Sequence, residues 1–406
     1  MNVTQVSLLT GGRDKPYALG LVTALVAAGM KIDFIGSNEL DSPELHGNPQ
    51  INFLNLRGDQ NIDAGLLQKM ARVLTYYFRL IFYAATARPK NFHILWNNKF
   101  ELFDRTALML YYKCLGKKII LTAHNVNAGK RDANDSFLNR LSLKIQYRLC
   151  DHIFVHTVKM KAELVSGFGV RADKASVIPL GINHTVPNTA LTGVEARRRL
   201  GIDERDKVIL FFGQIAPYKG LEFLVAAFNQ IIRQDHSYRL IIVGRPKGPK
   251  HYWNGIKENI ANSGVRDRVI QKIEFVPDAE TELYFKAADV LVLPYTHIFQ
   301  SGVLFLGYSF GLPVIAADVG SLKEEVFDGK TGLVFEPKNA ATLARTIKNY
   351  FASDLHLELD ARRVEIQNFA NERYSWSKVA AITTVVYSKL SPVEKHYGTH
   401  YAPEKS

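Results

Sequence analysis

Cysteine is scarce in this chain: Cys114 and Cys150 are the two in 406 residues. Two thiols in apolar surroundings make neither a disulfide framework nor a metal-ligand spacing, and both read as buried and reduced. Long apolar runs are missing too. No stretch approaches the roughly 20 apolar residues that a bilayer-spanning helix needs. The N-terminus, MNVTQVSLLTGG, has no basic segment of the kind that opens a secretory leader, so a cytoplasmic location is expected. Internal repeats and low-complexity tracts are absent as well.

Positive charge is plentiful. Lysine and arginine number 51 against 39 aspartate and glutamate, a net charge of +12. Residues 1–190 carry +9 of this excess and the remainder +3. A basic face can attract nucleic acid, anionic lipid or an acidic small molecule. The aromatic residues sit in apolar runs rather than between cations, and no nucleic-acid reader motif is present, so nucleic acid is set aside as a partner. Hydrophobic residues make up 47% of the chain, enough for two cores.

The order of elements is the strongest structural signal. Val3–Leu9 reads as an apolar strand ending at Gly11-Gly12, followed by a helix over Tyr17–Ala28 and a strand over Lys31–Ile35. Further strands are expected at His93–Trp96, Lys118–Thr122, His152–His156 and Ala175–Pro179, with apolar helices at Leu66–Ala87 and Ser136–Cys150. Small polar residues and Pro187 suggest a linker over Gly181–Thr192. Alternation then restarts with strands at Val208–Phe212, Arg239–Val243, Ile273–Val276, Val290–Leu293, Pro313–Ala316 and Gly332–Phe335. Such alternation implies two doubly wound, Rossmann-like α/β domains facing each other across a cleft. The expected division is 1–185 and 186–374, with a C-terminal helix at about 375–395 crossing back to the first domain. The end, 396–406, reads as polar and frayed.

Several loops at strand ends are candidates for ligand contact. Gln300-Ser301-Gly302-Val303 opens a short helix, where unpaired backbone N–H groups and the helix dipole favour an anion. Gly213-Gln214 leads to Lys219, which enters the next helix and meets a phosphate as a point charge unless it is a solvated surface lysine. Gly11 and Gly12 let the backbone come close to a ligand, but the GxGxxG spacing is absent, which excludes a nicotinamide site. His124 and Asn125 end a strand at the mouth of the cleft. No serine or cysteine triad is indicated. Lys69, Arg72 and Arg79 recur near helical spacing on an otherwise apolar helix, which reads either as a buried helix or as one lying on anionic lipid. Arg140, Lys144 and Arg148, with Lys130-Arg131 before them, read as a solvated stripe or part of the same surface.

As a set, these motifs resemble the retaining, two-domain (GT-B) glycosyltransferases of family 4, also called group 1. Phe211–Phe228 is similar to the family's G-x-x-x-x-x-K-G helix entry. Phe275-Val276-Pro277-Asp278, Ala287-Ala288-Asp289-Val290 and Leu293-Pro294-Tyr295 resemble its V-P-D, AADV and LPY runs. Gly311–Ala316 and Gly329–Val334 match its G-x-P-V-[IV]-A and G-x-[TN]-G-L-[LV] signatures, while Thr122–Asn125 and Val177–Ile182 resemble T-x-H-[DN] and V-I-P-x-G-[VI].

The resemblance implies a nucleotide diphosphate sugar held mainly by the second domain and a saccharide acceptor held by the first, with no metal and no cofactor. Lys219 and the backbone at Ser301, Gly302 and Val303 would hold the diphosphate. Gly12 and His124 would approach it and the sugar from the first domain, and Val276 and Pro277 would flank the base. Two glutamates that most members carry are Ile298 and Leu306 here, and a common arginine is Gln214. The Gln300–Val303 form is similar to a branch associated with bacterial surface-polysaccharide assembly, which implies a hexosyltransferase acting on a lipid-linked saccharide. Charge adds an anionic membrane surface as a further partner, at the inner face of the cell membrane. The alternative is a non-catalytic binding subunit that assists a partner enzyme. A phosphorylase on the same architecture finds no lysine to carry it.

Overall fold

A computed structural model describes residues 4–12, 14–61, 63–131, 135–182 and 186–391. The Lys130-Arg131 side chains and the polar end 396–406 lie outside the described residues. Apolar strands separated by helices build two all-parallel sheets. The first contains β1 (Gln5–Leu9), β2 (Lys31–Gly36), β3 (Ile51–Asn55), β4 (Asn91–Ile94), β5 (Lys118–Thr122), β6 (His152–Val155) and β7 (Ala175–Val177), in the spatial order β3-β2-β1-β4-β5-β6-β7. The second contains β8 (Lys207–Phe212), β9 (Tyr238–Val243), β10 (Val269–Lys272), β11 (Val290–Leu293), β12 (Val314–Ala317) and β13 (Gly332–Phe335), ordered β10-β9-β8-β11-β12-β13.

Each sheet reverses its winding once, between β1 and β4 and between β8 and β11. Loops leaving the carboxyl ends of the strands diverge at such a reversal and open a crevice. The loops after β1, β8 and β11 are the Gly11-Gly12, Gly213–Lys219 and Pro294–Ser301 segments. Topology therefore puts the glycine-bearing loops at the two switch points.

Side-chain alternation divides the first domain's core between the two faces of its sheet. In β5, Ile119 and Leu121 face one layer and Ile120 the other; in β6, Ile153 and Val155 oppose Phe154 in the same way. One face is covered by the helices Leu66–Thr86 and Phe137–Leu149, the other by Lys15–Ala27 and the last helix, Trp376–Leu390. The second sheet has a continuous core of its own.

Some expectations need correction. A strand expected at Ile273–Val276 lies four residues earlier, at β10, where Val269 to Lys272 pair with Leu240 to Val243. Its polar residues Gln271 and Lys272 disguise it, and Pro277 instead caps the helix Asp278–Ala287. Strand β3 was not anticipated: it is an edge strand with no fully buried residue, so its apolar signal is weak. Cys114 is exposed, because the helix Met109–Cys114 ends there at the surface, whereas Cys150 is buried and burial pushes its thiol up. The expected C-terminal helix is Trp376–Leu390, and it is separated from the helix before it, Leu359–Arg373, at Tyr374-Ser375.

That interruption sits at the junction of the domains. The Trp376 indole N–H donates to the Ile182 carbonyl at 2.8 Å, and the Ile182 N–H donates to the Tyr374 carbonyl at 3.1 Å. A Cβ at Gly20 or Gly181 would stand 2.2 or 2.3 Å from the Trp376 ring, so both glycines make room for it. Farther along, the Tyr387 hydroxyl meets His93 Nδ1 at 2.6 Å in the first core.

Candidate active site

The second domain presents two adjoining loops. Gly213 follows β8 with φ +111°, and the chain reaches Lys219 through a short 3-10 turn. Gly220 follows with φ +64°, and a Cβ there would lie 2.0 Å from the Pro294 carbonyl oxygen, so only glycine fits against the end of β11. The turn leaves Lys219 buried, at 6% exposure. Its ammonium donates to the Tyr295 hydroxyl at 2.6 Å and lies 3.9 Å from the centre of that ring.

Tyr295 Oη is in turn 3.2 Å from Ser301 Oγ. Burial pushes the phenol up, so it keeps its proton. Since Tyr295 accepts from Lys219, its own proton points to Ser301. The Ser301 proton is then left for another acceptor. Ser301 precedes the helix Gly302–Ser309, whose first N–H groups have no acceptor within the helix. A buried cation, an oriented hydroxyl and a helix N-terminus thus converge on one place, an arrangement suited to a phosphate.

A second cation approaches from the loop after β9. The Ile215 N–H donates to the Arg245 carbonyl at 3.0 Å, and the Lys247 N–H to the Ile215 carbonyl at 2.8 Å. Arg245 is exposed beside Gln214, also exposed, at the position where the related motif carries arginine.

In the first domain, Gly11 (φ +62°) and Gly12 (φ +69°) turn the chain after β1. A Cβ at Gly11 would be 2.7 Å from the Trp96 carbonyl oxygen, and one at Gly12 would be 2.9 Å from Arg57 Cδ. His124 stacks on Trp96 at 4.2 Å and meets Tyr17 edge-on at 4.6 Å.

The hydrogen bonds assign the imidazole tautomers. Burial pulls His156 down to about 4 and His124 well below its ordinary value, so both rings are neutral at pH 7. His156 Nδ1 faces the Ile178 carbonyl at 3.3 Å and must be the protonated nitrogen. His156 Nε2 then accepts from His124 Nδ1 at 3.0 Å. His124 Nε2 is left as a bare acceptor, buried and unpaired. Such an atom takes a hydroxyl proton, as from a sugar, rather than an unprotonated phosphate oxygen.

The two halves meet in a cavity of about 290 Å³. Gly302, Val303 and Leu306 line it from the second domain, Asp14 and Tyr17 from the first, and Trp376 at the junction. Leu306 stands where the related motif has its second glutamate, so that wall is apolar. Gly213 adjoins Val303, with 3.4 Å between a Cβ built on it and Val303 Cγ2. Gln300 Oε1 is buried without a partner next to Ser301.

Other expected residues stand apart from this cavity. The Asn125 carboxamide oxygen accepts the Asn127 N–H at 3.0 Å in a local turn. Val276 is buried in the second core and Pro277 precedes a helix at the end of β10. Among the described residues, no group of three or more His, Cys, Asp or Glu side chains could hold a metal. Tyr17, Arg57, Arg245 and Trp376 carry no functional signal in the sequence, and Tyr295 stands there as part of the Leu293-Pro294-Tyr295 run with no role of its own. Its place at a strand end just before the Gln300–Val303 turn is the further cue to that role.

Residues 206–353 match the family described as glycosyl transferases group 1, and residues 16–186 match glycosyltransferase family 4. The D-inositol 3-phosphate glycosyltransferase of Corynebacterium efficiens is 27% identical over 292 residues, 68% of this chain and 66% of that protein. Its namesake from Pseudarthrobacter chlorophenolicus is 30% identical over 263 residues, 64% of this chain and 60% of that protein. The chain spans less than two thirds of the length of these two relatives. Among solved structures, sucrose-phosphate synthase from Thermosynechococcus elongatus superposes with a TM-score of 0.74 at 20% identity, covering 96% of this chain and 99% of that one. HepE of Anabaena, in complex with UDP and glucose, superposes at 0.72 with 17% identity, covering 96% and 100%. These likenesses show a shared two-domain GT-B fold.

Proposed function

The chain belongs to the family 4, or group 1, glycosyltransferases, and on that premise we propose that it moves a hexose from a nucleotide diphosphate sugar to a lipid-linked saccharide acceptor at a membrane surface. The observation that carries this reading is the Lys219–Tyr295–Ser301 array at the switch point of the second sheet, next to a cavity that Gly302 and Val303 share with Asp14 and Tyr17 of the first domain.

Lys219, the Ser301 hydroxyl and the N–H groups of Gly302 and Val303 hold the donor diphosphate, with Gly213 and Gln214 beside them and Arg245 supplying the cation that Gln214 lacks. Gln300 orients the turn. Gly11 and Gly12 bring the first domain's backbone close, and His124 Nε2 accepts a hydroxyl of the transferred sugar. Val276 and Pro277 flank the base, while Asn125 shapes the loop behind His124. In the reaction the bond between the anomeric carbon and the diphosphate oxygen breaks, and an acceptor oxygen bonds to that carbon. The acceptor's proton passes to the released diphosphate. Charge grows on the leaving oxygen, where a buried cation and fixed N–H groups stabilise it most. Closure of the two domains excludes the water that would otherwise hydrolyse the donor.

The membrane part rests on the helix Leu66–Thr86. Leu67, Leu74 and Phe78 are 82%, 63% and 73% exposed, and Phe82 continues the same ridge. Phe137 and Leu138 add to the exposed apolar surface of this basic domain. An exposed apolar helix face on a basic domain suits an anionic bilayer interface at the inner face of the cell membrane. No helix among the described residues is long and apolar enough to cross one.

The replacement of the family's glutamates by Ile298 and Leu306 favours the second reading, a subunit that binds without catalysing. Incubation with UDP-, GDP- and ADP-sugars, with and without lipid extract, separates the two through nucleoside diphosphate release. Transfer from one donor, lost about 10²–10³-fold in Lys219→Ala, is the expected result. Release by no donor from folded protein would refute the transferase, and full turnover in the variant would refute the phosphate role of Lys219.

A further inference from the structure

A second cavity, of about 310 Å³, opens beside the Gly11-Gly12 turn, against the inner side of the Leu66–Thr86 helix. Arg57, Lys69, Arg72 and Lys99 line it, and no carboxylate is among the lining residues. Arg57 connects it to the cleft, since this is the side chain that a Cβ at Gly12 would strike.

The guanidinium is held in place. It lies 4.4 Å from the centre of the Tyr76 ring and donates to Asn98 Oδ1 at 2.8 Å. The same oxygen accepts the Tyr76 hydroxyl at 2.6 Å, and the Asn98 amide donates to buried Asp104 at 3.1 Å. Asp104 thus anchors the network from below. Arg57 Nε nevertheless remains buried with no acceptor. A buried guanidinium N–H in this state is costly, and a bound oxyanion would satisfy it.

The helix wall has two opposed faces. Lys69, Arg72, Val73 and Tyr76 turn inward to the cavity, whereas Leu67, Leu74 and Phe78 turn outward. A helix with its side chains is about 10–12 Å across, so an anion in the cavity lies one helix diameter beneath the apolar ridge.

We propose that this cavity is a subsite for an oxyanion on the acceptor, a phosphate ester or diphosphate, which the Arg57 and Arg72 guanidiniums grip so that the attached sugar reaches Gly12. The proposal rests on the transferase reading and names the acceptor class for it. Two sources share this chemistry: a soluble polyol phosphate and a lipid diphosphate.

The test is calorimetric titration, with and without saturating UDP to fill the donor site. One arm compares myo-inositol 1-phosphate with myo-inositol; the other compares farnesyl diphosphate with farnesol in phosphatidylcholine vesicles. At least one phosphorylated probe should bind ten-fold or more tighter than its unphosphorylated counterpart, and the arm in which this occurs names the source. Arg57→Gln and Arg72→Gln should each abolish most of that preference and leave UDP affinity within about two-fold. Should Arg57→Gln prove unstable, the more peripheral Arg72→Gln carries the test. Absence of preference in both arms, or its survival in both variants, would overturn the proposal. Phosphate preference without binding of UDP, GDP or ADP would overturn the transferase reading instead.

Discussion

Tyr295→Phe removes the side-chain oxygen through which Lys219 meets Ser301, and leaves the backbone link from the Thr296 N–H to the Tyr218 carbonyl in place. The substitution keeps the ring 3.9 Å from Lys219 Nζ and removes only the hydroxyl, which accepts from that ammonium at 2.6 Å and contacts Ser301 Oγ at 3.2 Å. A hydrogen bond to a charged group contributes about 1.5–3 kcal/mol, and here both partners are buried, so water does not replace it freely. For a domain of this size each kcal/mol corresponds to roughly 2–4 °C in Tm, so the transition of the second domain should fall by about 3–12 °C. Ser301→Ala breaks only the longer neutral contact and should cost less, about 0.5–1.5 kcal/mol. Differential scanning calorimetry that resolves the two domains reads both effects, and a double-mutant cycle with Lys219→Met isolates the coupling. A Tyr295→Phe loss under about 0.5 kcal/mol, or no coupling to Lys219, would show that the contact does not organise the site.

Two further outcomes follow from the first domain. His93, His152 and His156 are held down to about 3, 4 and 4, chiefly by burial, and His124 well below its usual value. The unfolded chain therefore binds more protons below about pH 6.5, so stability is full above that value and declines by up to ~1.4 kcal/mol per histidine per pH unit on acidification. The first domain's Tm should drop by several degrees between pH 8 and pH 5, and a flat profile would contradict the neutral imidazole chain. Leu74→Glu with Phe78→Glu should leave Tm nearly unchanged, because both residues are exposed. The same pair should weaken partition into anionic vesicles by more than about 10²-fold, at ~1.5–3 kcal/mol per side chain; undiminished co-sedimentation would rule out that helix as the membrane contact.

Most of the architecture is legible along the chain because it is locally encoded. Runs such as Lys118–Thr122 and Val290–Leu293 read as buried parallel strands from their apolarity alone. Glycine positions such as Gly12, Gly213 and Gly220 mark turns that need positive φ. Alternation of strands and helices is enough to imply two doubly wound sheets, and glycines, a lysine and a polar turn at strand ends mark the loops at their switch points. The weak elements were edge strands: β3 and β10 have little apolar signal because they are covered on one side only.

What tertiary structure decided is which distant side chains share a hydrogen bond or a wall. Lys219 and Tyr295 are 76 positions apart, and His124 and His156 are 32 apart. No local pattern announces either pair. The Leu66–Thr86 helix shows the division within one element. Its sequence displays apolar and basic residues at helical spacing, but packing alone turns Leu74 and Phe78 to solvent and Lys69 and Arg72 inward. Backbone conformation and periodicity follow from neighbours in the chain. The facing of surfaces, the burial of Arg57 Nε and the tautomer of His124 follow from contacts that exist only once the sheets have formed and the last helix has returned to the first.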